Sequence, residues 1–230
     1  MFKNVKKNNN EDHWLSVSDL MAGLMMVFLF ISIALMRNAM IERDMIKDVA
    51  VAYQDNQVSI YDSLIKEFGN DLEKWNAKID NETLTFTFKS PDTLFDDGEV
   101  LIKLEYQTIL NDFFPRYLET VYKFKDSINE IRIEGHTSSK WNSKTSIDEA
   151  YFKNMQLSQG RTRSVLQYIY ELEKVKDKQD WIKDKIAAVG FSSSKLILKD
   201  NVEDEDASKR VSFRVITNSD IQIRKILDMK

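Results

Sequence analysis

A run of apolar residues near the amino terminus limits what this chain can fold into more than any other feature. Residues 15–36 read LSVSDLMAGLMMVFLFISIALM and contain a single formal charge, Asp19. A helix of about 22 residues is about 33 Å long, which is enough to cross the hydrocarbon core of a bilayer. The run exceeds the roughly 7–15 apolar residues of a signal peptide, and no clear small-residue cleavage site follows it before Arg37. The sequence therefore predicts an uncleaved transmembrane helix at 15–36.

The acid inside this run is its most informative residue. A carboxylate at the centre of a bilayer costs about 2.5–3.5 kcal/mol or more, so such residues usually face a partner helix or a water-filled pathway. Asp19 shares one helical face with Ala22, Gly23, Met26 and Phe30, and small residues let another backbone approach closely. An interfacial position is the alternative, although aspartate is too short to reach the headgroups as lysine does. We assign Asp19 to an ion pathway.

Basic residues flank the apolar run on both sides and leave the orientation of the helix open. Three precede it and three follow it, namely Lys3, Lys6, Lys7, Arg37, Arg43 and Lys47. The positive-inside rule needs an imbalance between the two sides, which is missing here. Residues 1–14 are predicted to form a polar tail, and its side of the membrane depends on what the carboxyl-terminal part binds.

Composition excludes several classes of function. A net charge of −4 at pH 7 argues against a general nucleic-acid binder. The chain has no cysteine and only two histidines, His13 and His136, which argues against disulfides, thiolate ligands and a multi-histidine metal centre. No nucleophile or base accompanies His136, which we interpret as a structural residue at the end of a strand. We expect neither enzymatic activity nor a bound cofactor.

Residues 37–81 are predicted to form a largely helical linker. Apolar residues from Val58 to Ile79 recur in alternating steps of three and four, which is the pattern of a heptad seam. Such a seam favours either a paired coil or packing against the chain's own domain. Gly69 interrupts the pattern, and Asn70 with Glu73 matches a capping box that would start a second helix. The charged stretch 40–57 is a possible plug next to the membrane.

Strand and helix patterns alternate in the remainder, which predicts an α/β sandwich over 82–218 followed by a tail at 219–230. The expected strands are 83–88, 131–134, 186–189 and 211–216, and the expected helices are 104–121 and 157–173. Pro115 should kink the first of these helices or mark a restart within it. The acidic run 203–206 is interpreted as a solvated loop.

Five short motifs in this part resemble the OmpA-like peptidoglycan-binding domain and occur in that family's order over roughly residues 82–217. They are LFDDG at 94–98, IRIEGHT at 131–137, NMQLSQGR at 154–161, VGF at 189–191 and KRVSFRV at 209–215. The resemblance implies non-covalent binding of the peptide stem of the cell wall through its diaminopimelate residue.

The resemblance also implies which residues form the binding site. Thr137, Asn154 and Leu157 would line the cleft, and Arg161 would grip a ligand carboxylate with its guanidinium. A helix that begins at Leu157 places Arg161 in the first turn, where free N–H groups also favour an anion. Arg210 matches an arginine before the family's last strand and is either structural or ligand-facing.

Two features depart from the family pattern. Ser138 follows the threonine of the GHT motif, where the family usually has an aspartate for the ligand's ammonium group. The loop 139–152 is also several residues longer than usual. We expect Asp148 or Glu149 from this loop to supply the missing charge, or wall binding to be weak or altered.

The whole chain resembles the B subunit of flagellar stator units, the MotB-like proteins. More closely, SVSDLMAGLMMVFLFI at 16–31 resembles the corresponding subunit of the Zorya anti-phage defence system. The resemblance implies a homodimer inside a pentameric ring of a multi-spanning A-type subunit, with Asp19 carrying H⁺ or Na⁺. It also implies a bacterial inner-membrane protein with a cytoplasmic amino terminus and a periplasmic domain bound to peptidoglycan. The alternatives are a flagellar stator subunit, a passive envelope tether and an energiser of outer-membrane transport.

Overall fold

The computed structural model describes residues 9–89 and 94–218. Its chain divides into two compact units, Met1–Val49 and Ala50–Lys230, which are treated separately below. The predicted tail at 219–230 and the predicted turn at 90–92 lie outside the described residues, as does most of the tail predicted at 1–14.

The first unit consists of the greater part of helix α1, Asn9–Phe68. Among the described residues one helix is long and apolar enough to cross a membrane, with a mean hydropathy of 2.2 over its most apolar window. All side chains from Val17 to Asp48 are exposed. A helix that is apolar and uncovered over such a length is typical of a segment surrounded by lipid or by partner helices. This helix includes residues 15–36 and confirms the prediction of a long apolar helix near the amino terminus.

The last turns of α1 belong to the second unit and carry part of its core. Ile60, Leu64 and Phe68 are fully buried, and their spacing of four places them on one face. Val58, which starts the predicted seam, is instead exposed. Of the two expectations for this stretch, packing against the chain's own domain is therefore the one that the structure shows.

The prediction of helix up to about residue 80 is wrong. Turns follow α1 over residues 69–76, and no second helix starts at the predicted capping box. The chain folds back because Trp75 packs on Phe68, with ring centroids 6.0 Å apart, and Asn76 takes a positive φ of 44°. Ile79, which was assigned to the seam, thereby enters a β-strand.

Among the described residues of the second unit, one sheet has the strand order β1-β2-β7-β3-β4 and a separate hairpin pairs β5 with β6. The strands are β1 Ala77–Asp80, β2 Thr85–Phe88, β3 Ile128–His136, β4 Ile186–Gly190, β5 Leu198–Lys199, β6 Val202–Glu203 and β7 Arg210–Thr217. The helices are α2 Leu104–Tyr122, α3 Ile147–Tyr170, α4 Gln179–Lys185 and α5 Glu205–Ser208, with a 3-10 helix at Glu173–Lys178. Within the sheet β3 and β4 are parallel, and the other neighbours are antiparallel.

One face of the sheet packs against the helices. Alternation along the strands places the side chains of Phe86, Ile133 and Phe213 on this face, where they are fully buried. Phe113 of α2 lies at the centre, with its ring centroid 4.6 Å from that of Phe86 and 5.1 Å from that of Phe213. The core confirms the predicted α/β class. Helix α2 continues through Pro115, so the predicted restart there does not occur.

Helix α3 begins at Ile147, well before the predicted start near Leu157. The side chain of Ser146 caps it by accepting a hydrogen bond from the backbone N–H of Glu149. Its first turns bury small and polar residues, namely Ala150, Asn154, Ser158 and Thr162, and aliphatic residues follow only from Val165. Hydrophobic periodicity therefore fails to detect the first turns of this helix.

Candidate functional site

A cleft of about 360 Å³ opens in the second unit where β3 ends. It is lined by Asp97, Gly98, Thr137, Ser138, Lys140, Trp141, Asn154, Leu157, Arg161, Glu205 and Lys209. The cleft thus brings together Thr137, Asn154, Leu157 and Arg161 from the predicted site. A larger groove of about 430 Å³ lies between α3 and α4, but it lacks such a set of converging polar groups.

Arg161 is mostly buried and firmly held at one wall of the cleft. Its Nε donates to the carbonyl oxygen of Glu99 at 2.8 Å, and its Nη2 donates to that of Asp96 at 2.9 Å. The guanidinium carbon lies 4.8 Å from the ring centroid of Phe95. Burial lowers the pKa of the guanidinium, an effect that the charge of Asp97 partly opposes. Among the described residues no carboxylate forms an ion pair with it, so a positive charge is fixed in place for an anionic ligand.

The predicted location of Arg161 in a first helical turn is wrong. Because α3 starts at Ile147, Arg161 lies in the middle of that helix, where the backbone N–H groups are already used in helical hydrogen bonds. The helix terminus therefore contributes nothing to anion binding at this residue. At this residue any anion binding depends on the charge of the guanidinium, beside Lys140 and Lys209, which also line the cleft.

Asn154 and Thr137 shape the floor of the cleft. Asn154 is buried, and its Nδ2 donates to the carbonyl oxygens of Ser138 at 3.1 Å and Lys140 at 3.2 Å. Thr137 donates its backbone N–H to the carbonyl oxygen of Ser192 at 2.9 Å. Its buried Oγ1 has no hydrogen-bond partner among the described residues.

The structure does not bring Asp148 or Glu149 into the cleft. Both lie in the exposed first turn of α3, and Glu149 pairs with Lys153 at 2.8 Å. Acidic groups in this part of a helix stabilise its amino terminus, which accounts for them without a ligand. The expectation that they line the site in place of the missing aspartate is therefore wrong in geometry.

Two other carboxylates, Asp97 and Glu205, line the cleft instead. Glu205 begins α5 and forms an ion pair with Lys140, and this hydrogen bond lowers the pKa of the Glu205 carboxyl. Its segment is ordered rather than a solvated loop, because the side chain of Asp204 caps α5 by accepting from the N–H of Ala207. A capping pattern in DEDAS at 204–208 was the sequence signal that could have identified Glu205.

Arg210 does not line this cleft. Its Nη1 donates to the carbonyl oxygen of Ser208 at 2.9 Å, and its Nη2 donates to that of Lys195 at 3.0 Å. It lies beside His136, whose ring stacks on Phe191 with centroids 5.2 Å apart. Of the two interpretations of Arg210, the structure favours the structural one. His136 ends β3, where the sequence placed it.

Asp19 lies exposed on α1 in the first unit. Among the described residues it forms neither a hydrogen bond nor an ion pair. Its assignment to an ion pathway stays a prediction that concerns contacts with other chains. The described residues also contain no group of three or more histidines or acids arranged for a metal ion.

Three comparisons place the chain among known proteins. The model of the OmpA family matches residues 94–210. Zorya protein ZorB of Escherichia coli is 53% identical over 223 residues, which cover 96% of this chain and 95% of that protein.

Solved structures that match the chain include a putative MotB like protein from Desulfovibrio vulgaris, at 20% identity, coverage of 76% of this chain and 94% of that one, and a TM-score of 0.47. The cell wall anchor of the T6SS from Pseudomonas aeruginosa is 18% identical, and the match covers 67% of this chain and 97% of that chain with a TM-score of 0.47. The periplasmic domain of Helicobacter pylori MotB is 17% identical, with coverage of 66% and 88% and a TM-score of 0.43.

Proposed function

The chain belongs to the OmpA family and to the family of Zorya protein ZorB, and from this premise we propose that it is the wall-anchored subunit of an ion-driven motor acting in anti-phage defence. The supporting observation is that one chain combines a membrane-length apolar run whose single acid is Asp19 with a cleft in which the half-buried Arg161 forms no ion pair among the described residues. Membership of these families agrees with the prediction that the chain is not an enzyme.

The cleft is proposed to bind the peptide stem of peptidoglycan. The half-buried guanidinium of Arg161 donates two hydrogen bonds to backbone carbonyls, and a ligand carboxylate would add a charge-assisted hydrogen bond to it. Leu157 offers an apolar contact in the same cleft. Glu205 would take the ligand's ammonium group in place of the aspartate that Ser138 replaces. An ion pair with an exposed lysine such as Lys140 contributes little free energy, so the ammonium group of a ligand can displace Lys140 from Glu205.

Retention on purified sacculi tests this site. We expect Arg161→Ala to lower retention at least about tenfold, because a hydrogen bond to a charged group is lost, and Glu205→Gln to lower it less. The matched control is Arg163→Ala, an exposed arginine on the same helix outside the cleft. Asp148→Ala should also bind as the wild type does. Unchanged retention of Arg161→Ala would contradict the assigned site.

Asp19 is proposed to carry the ion, either H⁺ or Na⁺. Its carboxylate faces no group of its own unit, so neighbouring helices must provide the surroundings in which it alternates between neutral and ionised forms. Two copies of this chain inside a pentamer of a multi-spanning A-type subunit would provide them. A wall-bound periplasmic domain gives the resulting torque a fixed point, with the amino terminus in the cytoplasm.

Phage protection and co-purification together test the ion pathway. We expect Asp19→Asn to keep the association with the A-type subunit, since the two side chains have nearly the same shape, and to abolish protection. Ser18→Ala is the control, because Ser18 is an adjacent residue that points to a different part of the helix surface. Full protection by Asp19→Asn cells would reject the ion pathway and favour the second candidate, a passive envelope tether.

A further inference from the structure

A tryptophan that the proposed peptide site does not use lies at the edge of the cleft. Trp141 lines the cleft and keeps 37% of its surface exposed. The amine of Lys153 lies 5.9 Å from its ring centroid. The indole is thus outside the hydrophobic core and close to the proposed peptide site. A large aromatic side chain in such a position is a natural contact for part of a ligand.

The backbone that carries Trp141 is fixed by a series of hydrogen bonds. Asn154 binds the carbonyl oxygens of Ser138 and Lys140, as described above. Ser139 donates its backbone N–H to Glu203 at 2.8 Å and its hydroxyl to the same carboxylate. Lys140 is paired with Glu205. Five contacts therefore hold the residues directly before Trp141, which reduces the entropy lost when the indole meets a ligand.

The surroundings of the indole match the chemistry of a sugar. A pyranose has a flat apolar face of C–H groups and a rim of hydroxyl and amide groups. The indole offers a flat apolar surface, and the cleft beside it offers polar side chains such as Ser138 and Lys140. Resting on the proposed function, we infer that Trp141 forms a saccharide subsite that stacks on an amino sugar of the wall glycan next to the bound peptide stem.

Binding of two soluble wall fragments to the detergent-purified full chain tests this subsite. The probes are a disaccharide tetrapeptide and the same tetrapeptide without its sugars. We expect the wild type to bind the disaccharide form about five- to tenfold more tightly, as stacking on an aromatic ring would give. Trp141→Ala should lose this difference while its affinity for the free tetrapeptide stays within about twofold, and Trp141→Phe should keep part of it.

Control variants separate the subsite from the rest of the cleft. Phe152→Ala should behave as the wild type, because Phe152 is an exposed aromatic residue close in the sequence that does not line the cleft. Arg161→Ala should weaken both probes. Equal binding of the two probes by the wild type, or an equal loss of both in Trp141→Ala, would overturn this inference alone. Absence of binding of either probe to the wild type would overturn it together with the proposed function.

Discussion

His136 is a residue through which pH should act on the stability of the second unit. Burial lowers the pKa of its imidazole, with Glu134 opposing this shift and Arg210 adding to it. In the unfolded chain a histidine has a pKa of about 6.5. The unfolded state therefore binds a proton more readily than the folded state. This contribution to stability is present above about pH 6.5 and is lost as the pH falls below it.

Unfolding by urea at pH 7.5 and at pH 5.5 measures this contribution. We expect the wild type to lose more stability between the two values than His136→Gln, in which residue 136 no longer titrates and only His13 remains as a histidine. Carboxyls with lowered pKa values, such as those of Asp80 and Glu205, contribute equally to both proteins and titrate at lower pH. Equal losses in the two proteins would contradict the assignment.

The residues of the cleft show which site features could be predicted from sequence. Arg161, Asn154 and Leu157, which a motif predicted, line one cleft even though the helix boundary was misplaced, because a motif conveys residue identity. Asp148 was chosen by its proximity in sequence to a missing charge, but the cap at Ser146 turns it into the first exposed turn of α3. Glu205 was missed because its position beside Lys140 depends on a contact over 65 residues of sequence, which periodicity cannot detect.

At the level of elements, the position of α3 on the sheet depends on glycine. A Cβ at Gly190 would lie 2.5 Å from the backbone nitrogen of Gln159 and 2.7 Å from Oγ of Ser158. A Cβ at Gly135 of β3 would likewise lie 2.8 Å from the carbonyl oxygen of Ser158. The helix backbone therefore rests directly on β3 and β4. This close packing determines how far from the sheet α3 holds the residues that it contributes to the cleft.

Gly190→Ala should destabilise the second unit by about 1–3 kcal/mol, because the added methyl group forces α3 away from the strand. Urea unfolding measures the loss, and sacculus retention should fall with it as Arg161 is displaced. Ala188→Ser is the control on the same strand, since residue 188 is exposed. If Gly190→Ala and the wild type unfold at the same urea concentration, the close approach of α3 to β4 is not required for stability.

The same packing explains which elements were predictable. Strand β2 was recognised because phenylalanine alternates with threonine, a period that only a strand places on one face. The first turns of α3 were not, because the residues that they bury are small or polar, such as Ala150 and Ser158, and Ser158 lies against the glycines of the sheet. Their burial depends on the strands that pack against them, and a local pattern of hydrophobic residues cannot indicate those tertiary contacts.

On the scale of the whole molecule, the second unit starts earlier than the sequence patterns suggest. Hydropathy indicates a domain from residue 82, because the stretch before it continues a helical period. In the structure the last turns of α1 supply Ile60, Leu64 and Phe68 to the core, and β1 forms an edge of the sheet. The linker is therefore in part a structural element of the domain it leads to.

Fragments with different starting points test this boundary. Loss of one large buried apolar side chain costs about 2–5 kcal/mol, so removing three together with Trp75 should exceed the about 5–15 kcal/mol that stabilises a typical domain. We expect fragment 50–218 to unfold cooperatively on heating and fragment 82–218 to show no such transition by circular dichroism. Leu64→Ala within 50–218 should lower the unfolding temperature clearly, whereas Val58→Ala should change it little, because Val58 is exposed. A cooperative transition of fragment 82–218 at the same temperature would mean that α1 merely lies against an already complete core.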